Sequence, residues 1–339
     1  MTQINRQIVL ASRPQGAVTP ANFRLVELPL SALTDGQVRV RNHFLSLDPY
    51  MRGRMNESKS YAASQALDEV MIGGTAGEVV ESKNASFAVG DRVVGMGGWQ
   101  EFQTVDASQR GVLQKVDTRH VPLSAYLGPV GMPGVTAWYG LTKIIAPKAG
   151  ETVVVSAASG AVGSVVGQLA KARGARAVGL AGGADKCKYV VEELGFDACI
   201  DYKQHPDVRS LSAALKAECT GGIDGYFENV GGIILDAVML RANAFSRIAM
   251  CGMISGYDGV PIPMAAPQLI LMNRMKVQGF IVSEHMEIWP EALSELGGLV
   301  ATAQLKYRET VAEGLASAPE AFIGLLKGRN FGKQLVKLV

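Results

Sequence analysis

The 339-residue sequence contains few metal-binding side chains, and those it has are far apart. Four cysteines and four histidines are scattered along it, at Cys187, Cys199, Cys219, Cys251, His43, His120, His205 and His285. A structural zinc site or a disulfide framework needs closer spacing. No cysteine precedes Cys187 and no Gly-His-Glu element is present, so we expect no metal, and we expect reduced thiols.

Long apolar runs and a strong charge of either sign are also missing. The net charge is +2, which argues against general binding to nucleic acid or to a membrane surface. The N-terminal segment has an apolar run too short for the core of a signal peptide. The stretch "VVVSAASGAVGSVVGQLA" is interrupted by glycine and serine, which indicates strand, turn and helix rather than a membrane span. We therefore expect a cytoplasmic protein without nucleic-acid or membrane partners.

The local pattern changes near residue 124. Residues 1–124 contain short β-branched runs between dense turn signals, such as "RQIVLAS", "QVRVRNHFLSL" and "TDGQ", which predicts a compact β-rich domain. Beyond it, strand and helix patterns alternate. That order predicts an α/β domain with a parallel, doubly wound sheet and right-handed crossovers.

The stretch "VVVSAASGAVGSVVGQLAK" is a near match to the glycine fingerprint of dinucleotide-binding domains. Gly160 lets the backbone approach a pyrophosphate, and Gly163 lets the following helix pack closely on the preceding strand. The free N–H groups and the positive dipole end of that helix then face the phosphates. The alternative interpretation is a tight turn of an α/β protein that binds no phosphate.

The end of the next strand, in "VGLAGGADK", lacks the acid that normally binds the ribose diol of NAD. Gly179, Leu180 and Ala181 occupy that place, and Lys186 follows at the start of the next helix. Without the acid a 2′-phosphate is not repelled, and the lysine supplies positive charge, so the pattern favours NADPH. Taken alone, Lys186 would be interpreted as a solvated surface lysine; the missing acid reverses that interpretation.

Several motifs together resemble one known family. The segments "LSLDPYMRGRM", "AASGAVGSVVGQLAK", "GADKCKY", "ENVGG", "CGMISGY", "QGFIV" and "GLLKGRNFGK" resemble the zinc-independent medium-chain dehydrogenase/reductases. Within them they are most similar to the leukotriene B4 dehydrogenase/prostaglandin reductase group and its bacterial relatives, the NADPH-dependent curcumin reductases. The resemblance covers nearly the whole chain.

The resemblance implies a GroES-like, β-rich catalytic domain in residues 1–124, to which residues 301–339 return. It implies a Rossmann NADPH-binding domain in residues 125–300, with the active site between the two domains. It also implies a homodimer that reduces the C=C bond of α,β-unsaturated ketones or aldehydes. The hydride passes from NADPH to the β-carbon of the substrate.

The resemblance further implies which residues contact the cofactor and the substrate. The expected cofactor contacts are Gly160, Ala161, Val162, Gly163, Lys186, Tyr202, Asn229, Cys251, Gly252, Tyr257, Phe280, Ile281, Val282 and Asn330. Tyr50 and Met51 are expected near the nicotinamide, and Tyr61 is a looser match to a tyrosine on the substrate side. Residues 105–117 and 257–268 depart from the family's usual form, which leaves the substrate's size open.

Conjugate reduction needs a hydrogen-bond donor where the negative charge of an enolate develops, and it depends less on a metal than alcohol oxidation does. We predict that the Tyr257 hydroxyl is this donor, together with the ribose hydroxyl of the cofactor, and that Tyr61 helps to orient the substrate. Tyr257 follows a strand at the carboxyl edge of the predicted sheet, where ligands of doubly wound folds bind. The alternative is a loop tyrosine that packs at the domain boundary.

Two other functions remain compatible with the sequence. One is an NADPH quinone oxidoreductase of the same superfamily, which would form a hydroquinone rather than a saturated ketone. The other is a non-catalytic NADPH-binding protein, which would bind the cofactor without turning over any enone, enal or quinone.

Overall fold

The computed structural model describes residues 3–57, 59–109 and 111–339. The chain divides into two compact units, one formed by Met1–Leu127 with Glu309–Val339 and the other by Gly128–Arg308. These boundaries lie a few residues beyond the 124/125 and 300/301 positions expected from the sequence.

The first unit contains a hairpin, a mixed sheet and two helices. The hairpin strands are β1 (Ile4–Leu10) and β2 (Phe23–Pro29). The sheet strands are β3 (Gln37–Ser46), β4 (Thr75–Ser82), β5 (Arg92–Gly95), β6 (Phe102–Asp106), β7 (Leu113–Lys115), β14 (Glu309–Glu313) and β15 (Lys333–Lys337). Their order is β14-β15-β3-β4-β5-β7, with β6 also paired to β3. The pair β14–β15 is parallel and the others are antiparallel. The helices are α1 (Tyr50–Arg54) and α9 (Ala318–Leu326).

The core of the first unit joins its N-terminal hairpin to its C-terminal helix. The indole of Trp99 stacks on Phe23, with ring centroids 5.3 Å apart, and meets Phe322 edge-on at 5.6 Å. Met51 and Leu45 are fully buried in the same cluster. Residues from both ends of the sequence therefore stabilise one core, which explains why the last 31 residues return to this unit.

The second unit is a doubly wound parallel sheet. Its strands are β8 (Thr152–Ser156), β9 (Arg176–Ala181), β10 (Ala198–Asp201), β11 (Ile223–Glu228), β12 (Ala242–Met250) and β13 (Lys276–Gly279). Their order is β10-β9-β8-β11-β12-β13, so the chain winds outwards from β8 in both directions. This is the strand order of a Rossmann fold, in which ligands bind where the winding reverses. The predicted fold class is confirmed.

Seven helices accompany this sheet: α2 (Met132–Tyr139), α3 (Gly163–Ala172), α4 (Ala184–Glu192), α5 (Val208–Glu218), α6 (Ile233–Met239), α7 (Gln268–Met272) and α8 (Trp289–Ala301). Val153, Val154 and Val155 of β8 are fully buried, because the central strand of such a sheet is covered on both faces. The last strand ends at Gly279, before the apolar residues 280–282. Within the described part of the chain, no helix is long and apolar enough to cross a membrane.

Candidate cofactor and active site

The glycine turn between β8 and α3 has the geometry of a phosphate-binding loop. The chain leaves β8 through Ala157, whose φ of 49° is left-handed, and the N–H of Gly160 donates to the Ala157 carbonyl at 2.8 Å. A Cβ on Gly163 would lie 2.4 Å from that same carbonyl oxygen, so the turn requires glycine there. A Cβ on Gly160 would lie 3.1 Å from the Ala157 carbonyl oxygen, and no other described atom would lie closer. Gly163 thus serves the fold, whereas Gly160 borders open space together with the half-buried Ala161 and Val162.

Two lysines and a tyrosine surround the second glycine turn, at the end of β9. A Cβ on Gly182 would lie 2.9 Å from both the Tyr202 hydroxyl and the Lys203 Cε. Burial lowers the pKa of Lys186, and the nearby charge of Lys203 lowers it further. Tyr202 and Lys203 thus lie at the glycine turn, and the charge of Lys203 acts on Lys186. The 2′-phosphate contact of Lys186 and Tyr202 stays a prediction, and Lys203 was not among the expected contacts.

The Asp201 carboxylate beside this glycine turn accepts hydrogen bonds from backbone N–H groups. Asp201 accepts the N–H of Gly183 at 2.8 Å and that of Lys203 at 3.2 Å, which fastens the glycine turn to the end of β10. The surrounding groups fit a dinucleotide that carries a 2′-phosphate. The N-terminus of α3 would face the pyrophosphate, and the two lysines and the Tyr202 hydroxyl would hold the extra phosphate.

The carboxyl ends of β8 and β11 are tied together by Asn229. Its side-chain amide donates to the Ser156 carbonyl at 2.7 Å, and its backbone N–H donates to the Ser156 hydroxyl at 2.8 Å. That hydroxyl donates to Glu228 Oε1 at 3.0 Å. Glu228 is fully buried, and burial raises its pKa. The motif "ENVGG" indicates Asn229, whereas no sequence signal indicates the buried carboxyl of Glu228 beside it.

The loop after β12 brings Tyr257 back over the strand end. The N–H groups of Cys251 and Gly252 donate to the Glu228 carbonyl at 2.9 and 3.1 Å. The Tyr257 hydroxyl accepts the N–H of Met253 at 3.4 Å, and a Cβ on Gly252 would lie 3.2 Å from that hydroxyl. Burial, assisted by the charge of Glu228, raises the pKa of the Cys251 thiol to about 12, which keeps it neutral.

The segment after β13 is held by its own neighbours. The Phe280 ring packs against Tyr139 at 5.4 Å and Phe227 at 6.2 Å. The Ile281 carbonyl accepts the Glu284 N–H at 3.0 Å, and the Val282 carbonyl accepts the Trp289 indole N–H at 3.2 Å. These carbonyls are therefore partly occupied, and the contact of Phe280, Ile281 and Val282 with a carboxamide stays a prediction.

The expected substrate residues of the first unit differ in their surroundings. Burial raises the pKa of Tyr50, with further contributions from the charges of Asp48 and of the neighbouring Tyr61. Tyr61 is 57% exposed, whereas Tyr50 is half-buried. Met51 is fully buried in the core, and this position does not support a substrate contact.

Asn330 lies in the C-terminal segment of the first unit. Its amide donates to the Gly332 carbonyl at 2.7 Å, which stabilises the turn before β15. It lines an open cavity of about 370 Å³, together with Thr310 and Arg329. The cofactor contact expected for Asn330 stays a prediction.

The side chains do not suit a metal. Among residues 3–57, 59–109 and 111–339, no group of three or more His, Cys, Asp or Glu side chains is arranged to hold an ion. No step of the chemistry below depends on one.

Comparison with known proteins identifies the family. Residues 6–116 match the family described as N-terminal domain of oxidoreductase, and residues 161–297 match zinc-binding dehydrogenase. The chain is 44% identical to the NADPH-dependent curcumin reductase of Escherichia coli, over 99% of the chain and 97% of the relative. It is 40% identical to the NADP(+)-dependent 2-alkenal reductase of Nicotiana tabacum, over 98% and 97%. The chain belongs to the zinc-independent medium-chain dehydrogenase/reductases of the curcumin reductase type. The predicted resemblance is confirmed, and the protein is an oxidoreductase.

Solved structures share the fold of this chain. CurA from Vibrio vulnificus in complex with NADPH is 44% identical and superposes with a TM-score of 0.91, over 98% of this chain and 99% of that one. The Escherichia coli quinone oxidoreductase complexed with NADPH is 20% identical, with a TM-score of 0.76 over 98% and 99%. The second likeness concerns the fold alone.

Proposed function

We propose that this oxidoreductase uses NADPH to reduce the C=C bond of α,β-unsaturated ketones and aldehydes. The observation that carries the proposal is the set of groups at the carboxyl edge of the second unit's sheet. A glycine turn of the phosphate-binding type follows β8, the two lysines lie after β9 and β10, and the Tyr257 hydroxyl lies on the loop after β12. The names of the curcumin and 2-alkenal reductases to which the chain is similar support the same substrate class.

Binding of the cofactor is assigned to the second unit. The turn from Gly160 to Gly163 leads into the start of α3, whose N-terminus would face the pyrophosphate. The 2′-phosphate is bound by Lys186, Lys203 and Tyr202. NADPH is therefore preferred to NADH, which lacks this phosphate. Asn229, Cys251, Gly252 and the Phe280–Val282 segment line the nicotinamide half.

When bound, NADPH supplies the hydride that adds to the β-carbon of the substrate. Negative charge then develops on the carbonyl oxygen of the substrate, and a preplaced donor lowers the barrier. A hydroxyl that accepts one hydrogen bond still carries its own proton, so Tyr257 can donate to that oxygen while it accepts from Met253. The ribose hydroxyl of the bound cofactor would be a second donor, and the α-carbon takes up a proton in a separate step.

Contact with the substrate is assigned to the first unit. Tyr61 presents an exposed phenol beside Tyr50, which suits the orientation of a carbonyl compound. By its similarity to the family, we also propose that the protein is a cytoplasmic homodimer whose partners are small-molecule enones or enals.

A substrate screen tests the proposal. The purified protein is given NADPH or NADH with matched enones, enals and quinones, and the products are identified by mass spectrometry. We expect saturated ketones and aldehydes with NADPH and little turnover with NADH. Hydroquinones as the sole products, or cofactor binding without turnover, would contradict it.

A further inference from the structure

Two of the cysteines meet beside the cofactor corner of the second unit. Cys187 lies in α4 directly after Lys186, and Cys199 lies on β10, close before Asp201. Their thiols lie close enough for each to shift the pKa of the other. The Cys187 sulfur also lies 3.9 Å from the carbonyl oxygen of Ala181, and both cysteines are free thiols.

Gly179 leaves room for the Cys199 thiol. The parallel pairing of β9 and β10 sets Cys199 opposite Gly179, and a Cβ on Gly179 would lie 3.1 Å from the Cys199 sulfur. The Cys199 thiol therefore lies where position 179 of β9 has no side chain. Both cysteines are half-buried rather than sealed in the core.

The two thiols differ in reactivity. The hydrogen bond from Cys199 lowers the pKa of Cys187, and the same bond raises that of Cys199. Cys187 is thus the better nucleophile, since the thiolate is the reacting form. Cys219 offers a contrast because it is 4% exposed and burial raises its pKa to about 11.

We propose that Cys187 and Cys199 form a reversible disulfide when the protein meets a hydroperoxide, and that this bond weakens the binding of NADPH. The Cys187 thiolate attacks one peroxide oxygen, which gives a sulfenic acid and releases water or an alcohol. The Cys199 sulfur then displaces the hydroxyl group as water and forms the S–S bond. Two thiols are oxidised by two electrons, the peroxide is reduced, and a dithiol reverses the reaction.

The effect on the cofactor follows from the position of Lys186. A disulfide holds its sulfur atoms about 2.05 Å apart, much closer than two hydrogen-bonded thiols, so the start of α4 must shift relative to β10. Lys186 immediately precedes Cys187 and moves with it. This consequence, unlike the disulfide itself, rests on the proposed NADPH function.

The experiment oxidises the full chain with stoichiometric hydrogen peroxide and follows three readouts. Free thiols are titrated, the cross-linked peptide is mapped by mass spectrometry, and the Kd for NADPH is measured by fluorescence. We expect two of the four thiols to disappear, a Cys187–Cys199 peptide to form, and the Kd to rise by about tenfold, reversibly with dithiothreitol. Cys187→Ser and Cys199→Ser should each abolish both the cross-link and the change in Kd, whereas Cys219→Ser should abolish neither.

Two results would overturn the proposal. One is peroxide consumption without a Cys187–Cys199 peptide in protein whose circular dichroism is unchanged. The other is a quantitative cross-link that leaves the Kd for NADPH as it was. Reduced protein that does not bind NADPH would contradict the proposed function instead, and the peptide map would still decide whether the disulfide forms.

Discussion

The Lys333 ammonium lies 2.7 Å from the Asp48 carboxylate, although 285 positions separate the two residues. Both side chains are almost fully buried, with 3% and 8% exposed. Lys333 also donates to the Leu47 carbonyl at 2.7 Å, and the Ser46 hydroxyl donates to the second oxygen of Asp48. The pair fixes the segment that begins α1, and hence Tyr50, to the C-terminal strand β15.

Removing one partner of this pair should destabilise the first unit strongly. Lys333→Met leaves Asp48 buried without its counter-ion, so we expect the free energy of unfolding to fall by about 3–5 kcal/mol. Lys337→Met, at an exposed position of the same strand, is the control and should change it little. Urea unfolding measures both. Equal stability of the two variants would show that the ion pair is not structural.

The sequence predicts the Rossmann unit well because its signals are local. The apolar run of β8, the glycine turn and the start of α3 are consecutive, and Lys186 and Tyr202 follow at the spacing of the motif. The ion pair of Lys333 with Asp48 forms only because β15 pairs with a strand far away in the sequence. Neither the segment around Asp48 nor the one around Lys333 indicates the pair by itself. The burial of Met51 and Glu228 also depends on the tertiary fold, because no sequence periodicity distinguishes these residues from exposed neighbours.

The two fingerprint glycines should respond differently to alanine. In Gly163→Ala the new methyl would lie 2.4 Å from a backbone carbonyl, so we expect a loss of about 1–3 kcal/mol in stability. In Gly160→Ala the methyl meets the same carbonyl at 3.1 Å and otherwise fills the space assigned to the pyrophosphate. We expect a smaller loss of stability but a clearly higher Kd for NADPH. Thermal unfolding and cofactor titration distinguish the two; identical profiles would contradict the assigned roles.

Lys186 should determine the preference for NADPH. Loss of one charged hydrogen bond to phosphate costs about 1.5–3 kcal/mol, so Lys186→Ala should raise the KM for NADPH roughly 10- to 100-fold. The KM for NADH should stay the same, since NADH has no 2′-phosphate. Lys188→Ala is the control, because Lys188 is exposed on the same helix and pairs with Glu192 at 3.9 Å. An unchanged KM for NADPH in Lys186→Ala would refute this reading of the glycine turn.

The buried Glu228 should make stability depend on pH. Burial raises its folded-state pKa above the ordinary value of 4.5, so between the two values the folded chain binds more protons than the unfolded chain. The contribution of Glu228 to stability therefore falls as pH rises through that window. Glu228→Gln removes this titration, so its stability relative to the wild type should increase with pH above 4.5 and level off once Glu228 is ionised. Urea unfolding at several pH values measures the trend, and Glu192→Gln, at an exposed position of α4, is the control.

The Tyr257 hydroxyl should stabilise the transition state of the reaction rather than the folded state. The hydrogen bond that its hydroxyl accepts from the Met253 N–H is long, at 3.4 Å, so Tyr257→Phe should lose little stability through this bond. Loss of one donor to a developing oxyanion typically costs about 10²–10³ in kcat, and we expect a drop of that order in kcat/KM for an enone.

The control for this substitution is Tyr126→Phe. The Tyr126 hydroxyl donates to the Asp117 carbonyl at 2.6 Å in the first unit, so its loss removes a tyrosine hydroxyl without touching the Tyr257 loop. Steady-state kinetics on one enone with saturating NADPH compares the two variants. If kcat/KM of Tyr257→Phe matches that of Tyr126→Phe, the donor must be another group. Tyr61→Phe, tested on the same enone, then separates a role in orienting the substrate from a role in stabilising charge, because the former raises KM while kcat is retained.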